Sequence, residues 1–578
     1  MKRVREREVP GAEQQALHAY GVHPVLSRVY ASRGVAAPRE IHYLLGRLAD
    51  ATTLGGLAQA GRLVGECVIR GDLIAVAGDW DADGATSTAI LVEALTAFGA
   101  PAPLALIPSR FTQGYGLSPA LVDAARAGGA RLIITVDNGT TAFAAIEHAR
   151  SSGIPVVVTD HHLVSLGADG KARLPQAHAL VNPNLPGDPF PWKNTCGAGV
   201  ALYLASAVRA FLHERGHPGG QVPLGELLDL VAIGTVADVV SLDFNNRIFV
   251  SQGLERMRAS PRPGIAALFA AARRDVRSAT AEDLAFLIGP RINAAGRLAT
   301  MDLGVKLLLE RDPARADAMA QTLDGLNRER REIEAAAVDD ALSRLPEHIE
   351  SYASGRALAV FGEDWHEGVV GLVASRLKER FHRPVVALCR AQDGLIKGSG
   401  RSIPGVHLRD VLARVNDRHP GVLLSFGGHA MAAGLMVAPG RVDEFRDAFH
   451  VIAGLMVPEE ALHPVVLSDG NLGNEDLSLA TARAIAEGGP WGNGFPEPLF
   501  HGTFTVRGYR ILKDAHRALT LERDGETFPG IQFRSTDTPG EEITIAYRLR
   551  VNSWRDEERL QMIVEEEVDP CAPDLAPR

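Results

Sequence analysis

The sequence predicts a multidomain α/β protein. A parallel-sheet domain comes first, joined by long helical segments to a second, smaller α/β domain, and a small β-rich barrel or sandwich closes the chain. Three observations carry this expectation. From Leu73 to Asn184, short apolar runs alternate with amphipathic stretches, which is the pattern of βαβ units. Residues 310–345 are dense in Ala, Glu and Arg, a composition that favours helix. Beyond His463, runs such as "FHGTFTVRGYRIL" and "EITIAYRLRVN" are β-rich and separated by turns. At 578 residues the chain is too long for one core, and length alone suggests about three to five domains.

Residues 1–54 read as a helical N-terminal segment. The N-terminus, "MKRVREREVPGAEQQ", has no apolar stretch behind its charges, so it does not read as a secretory signal. The first α/β domain is expected over 55–309. In it "LIAVAGD" (Leu73–Asp79) is an apolar run ending in acid, and "TSTAILVEALTAFG" (Thr86–Gly99) is helical with a C-terminal Gly. "RLIITVDNGT" repeats the pattern and ends at Asp137. "IPVVVTDHHL" ends at Asp160, His161 and His162, and "AHALVNPN" is a fourth run. In parallel sheets, sites form at the carboxyl ends of the strands, so these acids are carried to one edge. "LGELLDLVAIGTVADVVSL" (Leu224–Leu242) reads as an apolar helix containing Asp238. Connecting helices are expected over 310–350, the second α/β domain over 351–460 and the β-rich region over 463–570.

Composition narrows the function. The chain is 46% hydrophobic and 22% charged, as in an ordinary globular protein. No apolar run approaches the roughly 20 residues that span a bilayer, so no membrane role is expected. Cys67, Cys196, Cys389 and Cys571 are scattered and form no CxxC pair. That disfavours structural zinc and a disulfide framework and fits a reducing cytosol. A formal net charge of −10 disfavours broad attraction to nucleic acid but leaves room for a local basic groove.

"AVAGDWDADGATSTAI" places Asp79, Asp81 and Asp83 within five residues. Carboxylates this close repel, and their pKa values rise, unless a cation sits among them. Singly, each acid has an ordinary reading: Asp137 as a turn residue, "DHH" as a helix cap, Asp238 as a satisfied buried carboxylate. Together, Asp81, Asp83, Asp137, His161 and Asp238 are hard oxygen donors with one imidazole. That set suits Mn²⁺ or Mg²⁺ better than zinc, and is large enough for two ions sharing a carboxylate.

"GDWDADGATS", "VDNGT", "TDHHL" and "GTVADVV" resemble, in order, the four motifs of the DHH phosphoesterase superfamily. "GSGRS" (398–402) and "SFGGHAMAAG" (425–434) resemble its DHHA1 domain. "IPSRFTQGYGLS", "GPRINAAGRL", "WHEGVVGLVASRL" and "PWGNGFPEPLF" extend the similarity to the single-strand-specific 5′→3′ exonuclease branch, from about residue 50 to the C-terminus. One departure is Trp80, where an apolar residue or Tyr is commoner.

The resemblance implies two ions, Mn²⁺ or Mg²⁺. Asp83, Asp137, His161 and Asp238 would hold one. Asp79 and Asp81, with Asp137 bridging, would serve the other. Asp79 and His162 are the residues it assigns to the chemistry, His162 as a contact to the scissile phosphate or a proton donor to the leaving oxygen. Asp160 reads either as a residue orienting a histidine or as a cap. For the substrate it implies Arg110, Ser399, Arg401 and His429 as phosphate contacts, with Arg110 and Arg401 receiving a 5′ end. Arg291, Asn293 and Arg297 either line the groove or cap the long helix. The β-rich region becomes an OB-fold, with Phe504, Tyr509, Arg510, Phe533, Arg534, Tyr547, Arg548 and Trp554 as candidates for contact with single strands.

The implied function is a cytoplasmic exonuclease that releases 5′-mononucleotides from single-stranded DNA in recombination and repair. A helicase and a single-strand-binding protein would be its companions. Two rivals are a two-domain DHH phosphodiesterase or pyrophosphatase, which would lack the barrel, and a non-catalytic DHH scaffold that binds DNA, which would not need the intact acidic set. Cutting the chain after about residue 463 is expected to spare the metal centre.

Overall fold

The computed structural model describes residues 2–109, 115–167, 170–343, 355–391, 394–554 and 557–569. The chain divides into two units. One comprises Val9–Asn327 with Ala484–Glu497. The other comprises Met1–Glu8, Arg328–Arg483 and Pro498–Arg578.

The first unit is built on a five-stranded, all-parallel sheet. Its spatial order is Leu104–Leu106, Ile74–Ala77, Leu132–Val136, Val156–Thr159, Ala179–Val181. Both faces of such a sheet are covered, so its strands are continuous apolar runs: IAVA, LIITV and VVVT are buried throughout. On one face Ala75, Ile133, Val156 and Val158 pack with Leu121, Val122, Ile146 and Ala149 from the helices Pro119–Ala127 and Phe143–Ser151. The helix Ala82–Ala97 packs with Gly197–Glu214, which also packs on Leu57–Arg70. That last approach is close: a Cβ at Gly65 would lie 2.3 Å from the Phe211 ring.

In chain order the strands run second, first, third, fourth, fifth across the sheet. The direction of winding therefore reverses between the first and third strands, and ligands bind at that crevice in doubly wound sheets. Asp79–Asp83 follow the first of these strands and Asp137 follows the third.

The apolar helix expected over 224–242 is shorter. It runs Leu228–Ala237, and Asp238 is its C-cap rather than an interior residue. Among the described residues of the expected connection, one helix runs Pro313–Ser343.

In the second unit, a five-stranded mixed sheet has the order Leu423–Gly428, Ala432–Val437, Ile396–Arg401, Val385–Arg390, Leu358–Gly362. Leu408–Arg418 and Val442–Met456 contribute to one core, and Val370–Phe381 with the end of the long helix to the other. Five further strands close a barrel: Phe500–Leu512, His516–Arg523, Glu526–Phe533, Glu542–Trp554 and Glu557–Asp569. Closure comes from pairing of the last strand with both its predecessor and Glu526–Phe533.

Two segments depart from the sequence reading. Lys2–Glu6 is a strand, not part of a helical segment. It pairs in parallel with Val465–Ser468 and with Val568 and Asp569, so its partners lie more than 450 residues away in sequence. Residues 484–497, expected within the β-rich region, belong to the first unit. There Trp491 and Phe495 stack on Tyr30 at ring separations of 5.9 and 6.1 Å. The Arg247 guanidinium lies 4.2 Å from the Phe495 ring centre, and the Tyr30 hydroxyl donates to Gly488 O at 2.7 Å.

Candidate metal centre

The loop after the first strand is held by side-chain oxygens that accept from its backbone amides. Asp81 caps the helix Ala82–Ala97, accepting from Gly84 N at 2.9 Å. Asn293 Oδ1 accepts from Ala82 N at 2.8 Å, so the helix Gly289–Leu298 holds the same turn from the far side. Gly84 is needed for space: a Cβ there would lie 2.7 Å from Asp79 N. Asp83 then points at the N-terminus of Gly197–Glu214 and accepts from Gly197 N at 2.7 Å and Ala198 N at 2.9 Å, a favourable place for a carboxylate.

After the third strand, Asp137 adopts φ 61°, the left-handed region that Asp tolerates better than most residues. Asn138 holds that bend. Its Nδ2 donates to Ala77 O, Gly78 O and Val136 O at 3.1, 3.1 and 2.8 Å, and its Oδ1 accepts from Leu117 N at 3.0 Å. After the fourth strand, Asp160 gathers the next turn by accepting from Thr140 N, His161 N, His162 N and His162 Nδ1 at 2.7–3.1 Å. Asn182 Nδ2 donates to His162 O at 2.8 Å, and Asn184 Nδ2 to His161 O at 2.6 Å.

These turns converge. His161 Nε2 lies 3.0 Å from Asp137 Oδ1, 3.6 Å from Asp238 Oδ2 and 3.8 Å from Asp83 Oδ2. Donor atoms fall into three overlapping sets, each within 4.8 Å: Asp79–Asp81–Asp137, Asp83–His161–Asp238 and Asp137–His161–His162. All six ligands expected from the sequence are therefore together, with His162 beside them. Asp160 is a positioning residue for the two histidines.

The electrostatics fit a cation. Burial, then the charge of Asp81, pushes Asp83 up to about 6, against the pull of the Ala198 and Gly197 amides. Burial and the neighbouring acids push Asp137 and Asp238 well above the usual carboxylate range. Burial, helped by the nearby His162 charge, lowers His161 to about 4, so it is a neutral donor at pH 7. Burial would also lower His162, but the Asp160 hydrogen bond and charge outweigh it and hold it up at about 9. Buried carboxylates with raised pKa values are the state that a divalent cation reverses, and oxygen donors with one imidazole suit Mn²⁺ or Mg²⁺.

The substrate residues are distributed differently. Arg110 lies outside the described residues. Arg297 is half-buried on Gly289–Leu298 in the first unit. Arg291, on the same helix, is committed to a buried ion pair with Asp324 at 2.9 Å, which favours its structural reading. Asn293 Oδ1 accepts from Ala82 N and so holds the Asp81–Ala82 turn. Ser399, Arg401 and His429 are in the second unit. Arg401 Nη1 donates to Ser399 Oγ at 2.9 Å, and a Cβ at Gly371 would lie 2.9 Å from Arg401 Nη2. The guanidinium, the hydroxyl and the first turn of Val370–Phe381 thus share one spot. His429 is exposed in the turn between the strands ending at Gly428 and starting at Ala432.

Sequence reasoning missed Tyr115. Its hydroxyl donates to Asp137 O at 3.0 Å and lies 3.0 Å from His162 Nδ1, and its ring meets Trp80 edge-on at 6.0 Å. It stands in the quoted run "FTQGYG", but an aromatic in a loop carries no local signal.

A doubly wound sheet with this acidic and histidine centre at its switch point, joined to a second α/β unit, defines a metal-dependent DHH phosphoesterase. Family models agree: "DHH family, N-terminal domain" matches residues 73–235, "DHHA1 domain" 354–454 and "RecJ OB domain" 468–566. A single-stranded-DNA-specific exonuclease RecJ from Dickeya dadantii is 47% identical, with 94% of this chain and 95% of that one covered. The RecJ of Escherichia coli is 44% identical over 94% and 95%. The crystal structure of RecJ with Mn²⁺ from Thermus thermophilus superposes with a TM-score of 0.81 at 31% identity, covering 99% of this chain and 80% of that one. The chain belongs to the RecJ family of single-stranded-DNA-specific exonucleases.

Proposed function

We propose that this protein hydrolyses single-stranded DNA from its 5′ end, releasing 5′-mononucleotides, with two Mn²⁺ or Mg²⁺ ions at the sheet's switch point. The observation that carries the reading is the overlap of the three donor sets at Asp137 and His161. Asp83, Asp137, His161 and Asp238 would hold one ion. Asp79 and Asp81 would hold the other, with Asp137 shared. Bound there, the ions supply charge against the scissile phosphate and lower the pKa of a water. Asp160, which accepts from His162 Nδ1 at 2.8 Å, raises the pKa of that imidazole in the metal-free protein. His162 would contact the phosphate and give a proton to the leaving oxygen. The barrel at the C-terminal end supports this reading over a two-domain phosphodiesterase. No helix among the described residues is long and apolar enough to cross a membrane. A cytoplasmic setting, with a helicase exposing the strand and a single-strand-binding protein covering it, belongs to the same proposal. Digestion of 5′- and 3′-labelled strands, with Mn²⁺ and with EDTA, tests it. A labelled mononucleotide is expected at once from the 5′-labelled strand and only late from the 3′-labelled one. Early release of the 3′ label would overturn the polarity, and no cutting would overturn the activity.

The 5′ end needs a recognition element away from the ions, which meet only a diester. A terminal phosphate carries more charge than an internal one and suits guanidinium contacts, and Arg401 with Ser399 offers that chemistry. Arg401→Ala is expected to lower the rate on 5′-phosphorylated strands about tenfold more than on 5′-hydroxyl strands. The ratio is read at fixed salt, because phosphate contacts are salt-sensitive. An unchanged ratio removes Arg401 from the end pocket.

On the barrel, Phe504 and Tyr547 are 1% and 0% exposed and belong to the core, whereas Tyr509 and Phe533 are 46% and 52% exposed. Arg510 and Arg534 beside them are exposed, Arg548 pairs with Glu565 at 2.8 Å, and the Trp554 side chain lies outside the described residues. Exposed aromatics next to cations suit base stacking and phosphate tracking. Tyr509→Ala and Phe533→Ala are each expected to weaken binding of a long single strand about tenfold, measured by fluorescence anisotropy in EDTA. Phe504→Ala would act through stability instead.

A further inference from the structure

Residues 490–497 of the run "PWGNGFPEPLF" have no part in the chemistry described so far, yet they belong to the first unit, where Asn493 lies against the turn that follows Asp238. The helix Leu228–Ala237 stops there, with Asp238 N donating to Gly234 O at 2.9 Å and Val239 N to Val236 O at 3.2 Å. Val239 then adopts φ 58° with its side chain 64% exposed. A β-branched residue in the left-handed region is an outlier, and such a conformation persists only where the surroundings impose it. Nothing about the exposed valine side chain rewards it. The backbone turn is what is being held, and the residue just before it, Asp238, has its carboxylate 3.6 Å from His161 Nε2.

Asn493 supplies the hold from both ends. Its Nδ2 donates to Val239 O at 2.7 Å, and its backbone O accepts from Leu242 N at 2.7 Å. The fit is close on either side. A Cβ at Gly494 would lie 2.0 Å from Ser241 Oγ, and one at Gly492 would lie 2.7 Å from Leu242 Cδ1. The hairpin carrying Asn493 is itself rigid. Gly492 and Phe495 exchange backbone hydrogen bonds at 2.9 and 3.2 Å, Trp491 and Phe495 stack at 5.2 Å, and Trp491 Nε1 donates to Ile485 O at 2.8 Å.

We infer that Asn493 is a positioning residue for the metal centre: it clamps the strained Val239 turn and so aims Asp238 at the Asp83–His161 pair. The inference rests on the proposed role of Asp238 as a ligand. Partners that orient a ligand commonly set metal affinity by about 10–100-fold. Only one of the two proposed ions has Asp238 as a ligand, so the effect is selective, which general destabilisation would not be.

The test is titration of the full-length protein with Mn²⁺, following free Mn²⁺ by electron paramagnetic resonance, for wild type, Asn493→Ala and the isosteric Asn493→Asp, which lacks the donor. Wild type is expected to bind two ions. In both variants one ion should bind as in wild type and the other about 10–100-fold more weakly. Two ions bound with unchanged affinity, or two weakened equally, would overturn the role of Asn493. A wild type that binds no Mn²⁺ would instead overturn the metal reading on which it rests.

Discussion

Asp137→Asn is expected to abolish hydrolysis and, at the same time, to raise the melting temperature of the metal-free protein. Asp137 is the carboxylate shared by two of the donor sets, so its loss reaches both proposed ions. A loss of about 1,000-fold or more in rate is expected, equivalent to ~4 kcal/mol at 1.36 kcal/mol per decade. The stability effect has the opposite sign. Asp137 is 2% exposed and its pKa is raised by burial, then by Asp83 and Asp81. A carboxyl whose folded pKa lies above its unfolded value costs folding free energy at neutral pH, where it is ionised in the unfolded chain. A neutral amide of the same shape removes that cost, and Asn tolerates the φ of 61°. In EDTA a rise of about 1–2 °C per kcal/mol relieved is expected for a unit of this size, and Mn²⁺ should stabilise the variant less than wild type. Near-normal turnover at saturating Mn²⁺ would sink the shared-ligand role. A lower melting temperature in EDTA would show that Asp137 is held for packing instead.

Ending the chain at residue 463 is expected to destroy hydrolysis even of short strands, contrary to what a boundary read from the sequence suggests. The truncation removes Trp491 and Phe495 from the first unit as well as the barrel. Phe495 is 1% exposed, stacked against Tyr30 and Trp491 and capped by Arg247. Losing a buried Phe or Trp costs roughly 3–5 kcal/mol, against a total stability of about 5–15 kcal/mol. The same cut leaves Val239 O without the Asn493 amide. A chain ending at Glu497 keeps all of these contacts and should still cut short strands, while binding long ones poorly for want of the barrel. Equal activity of the two truncated chains on a short strand would refute the contribution of residues 484–497.

The candidate ligands were legible from local chemistry. Each lies at a strand end or motif where apolar residues give way to acid, and a parallel sheet carries successive strand ends to one edge. Three carboxylates within five residues are too costly to be incidental unless solvated or neutralised, and Asp79 and Asp83 proved buried. What stabilises those turns was less legible. Asn138, Asn182, Asn184 and Asn293 act through single amide groups on backbone that is distant in sequence. In the sequence an Asn looks the same whether it reaches such a partner or faces water. The barrel candidates were legible only as a mixed list, because alternation along a strand distinguishes two faces but not which one is core.

The order of the folding units, the edge at which the chemistry gathers and the residue types that could hold a divalent cation are all written locally in the chain. These follow from local periodicity and from the chemistry of side chains clustered within short motifs. Long-range packing, in contrast, makes Lys2–Glu6 a strand beside Val465–Ser468, puts Asp238 at the C-cap of its helix and returns residues 484–497 to the first unit. Each depends on partners distant in the chain. Backbone pairing, a held left-handed turn and a buried aromatic stack acquire their energy from those partners and leave no period in the sequence around them.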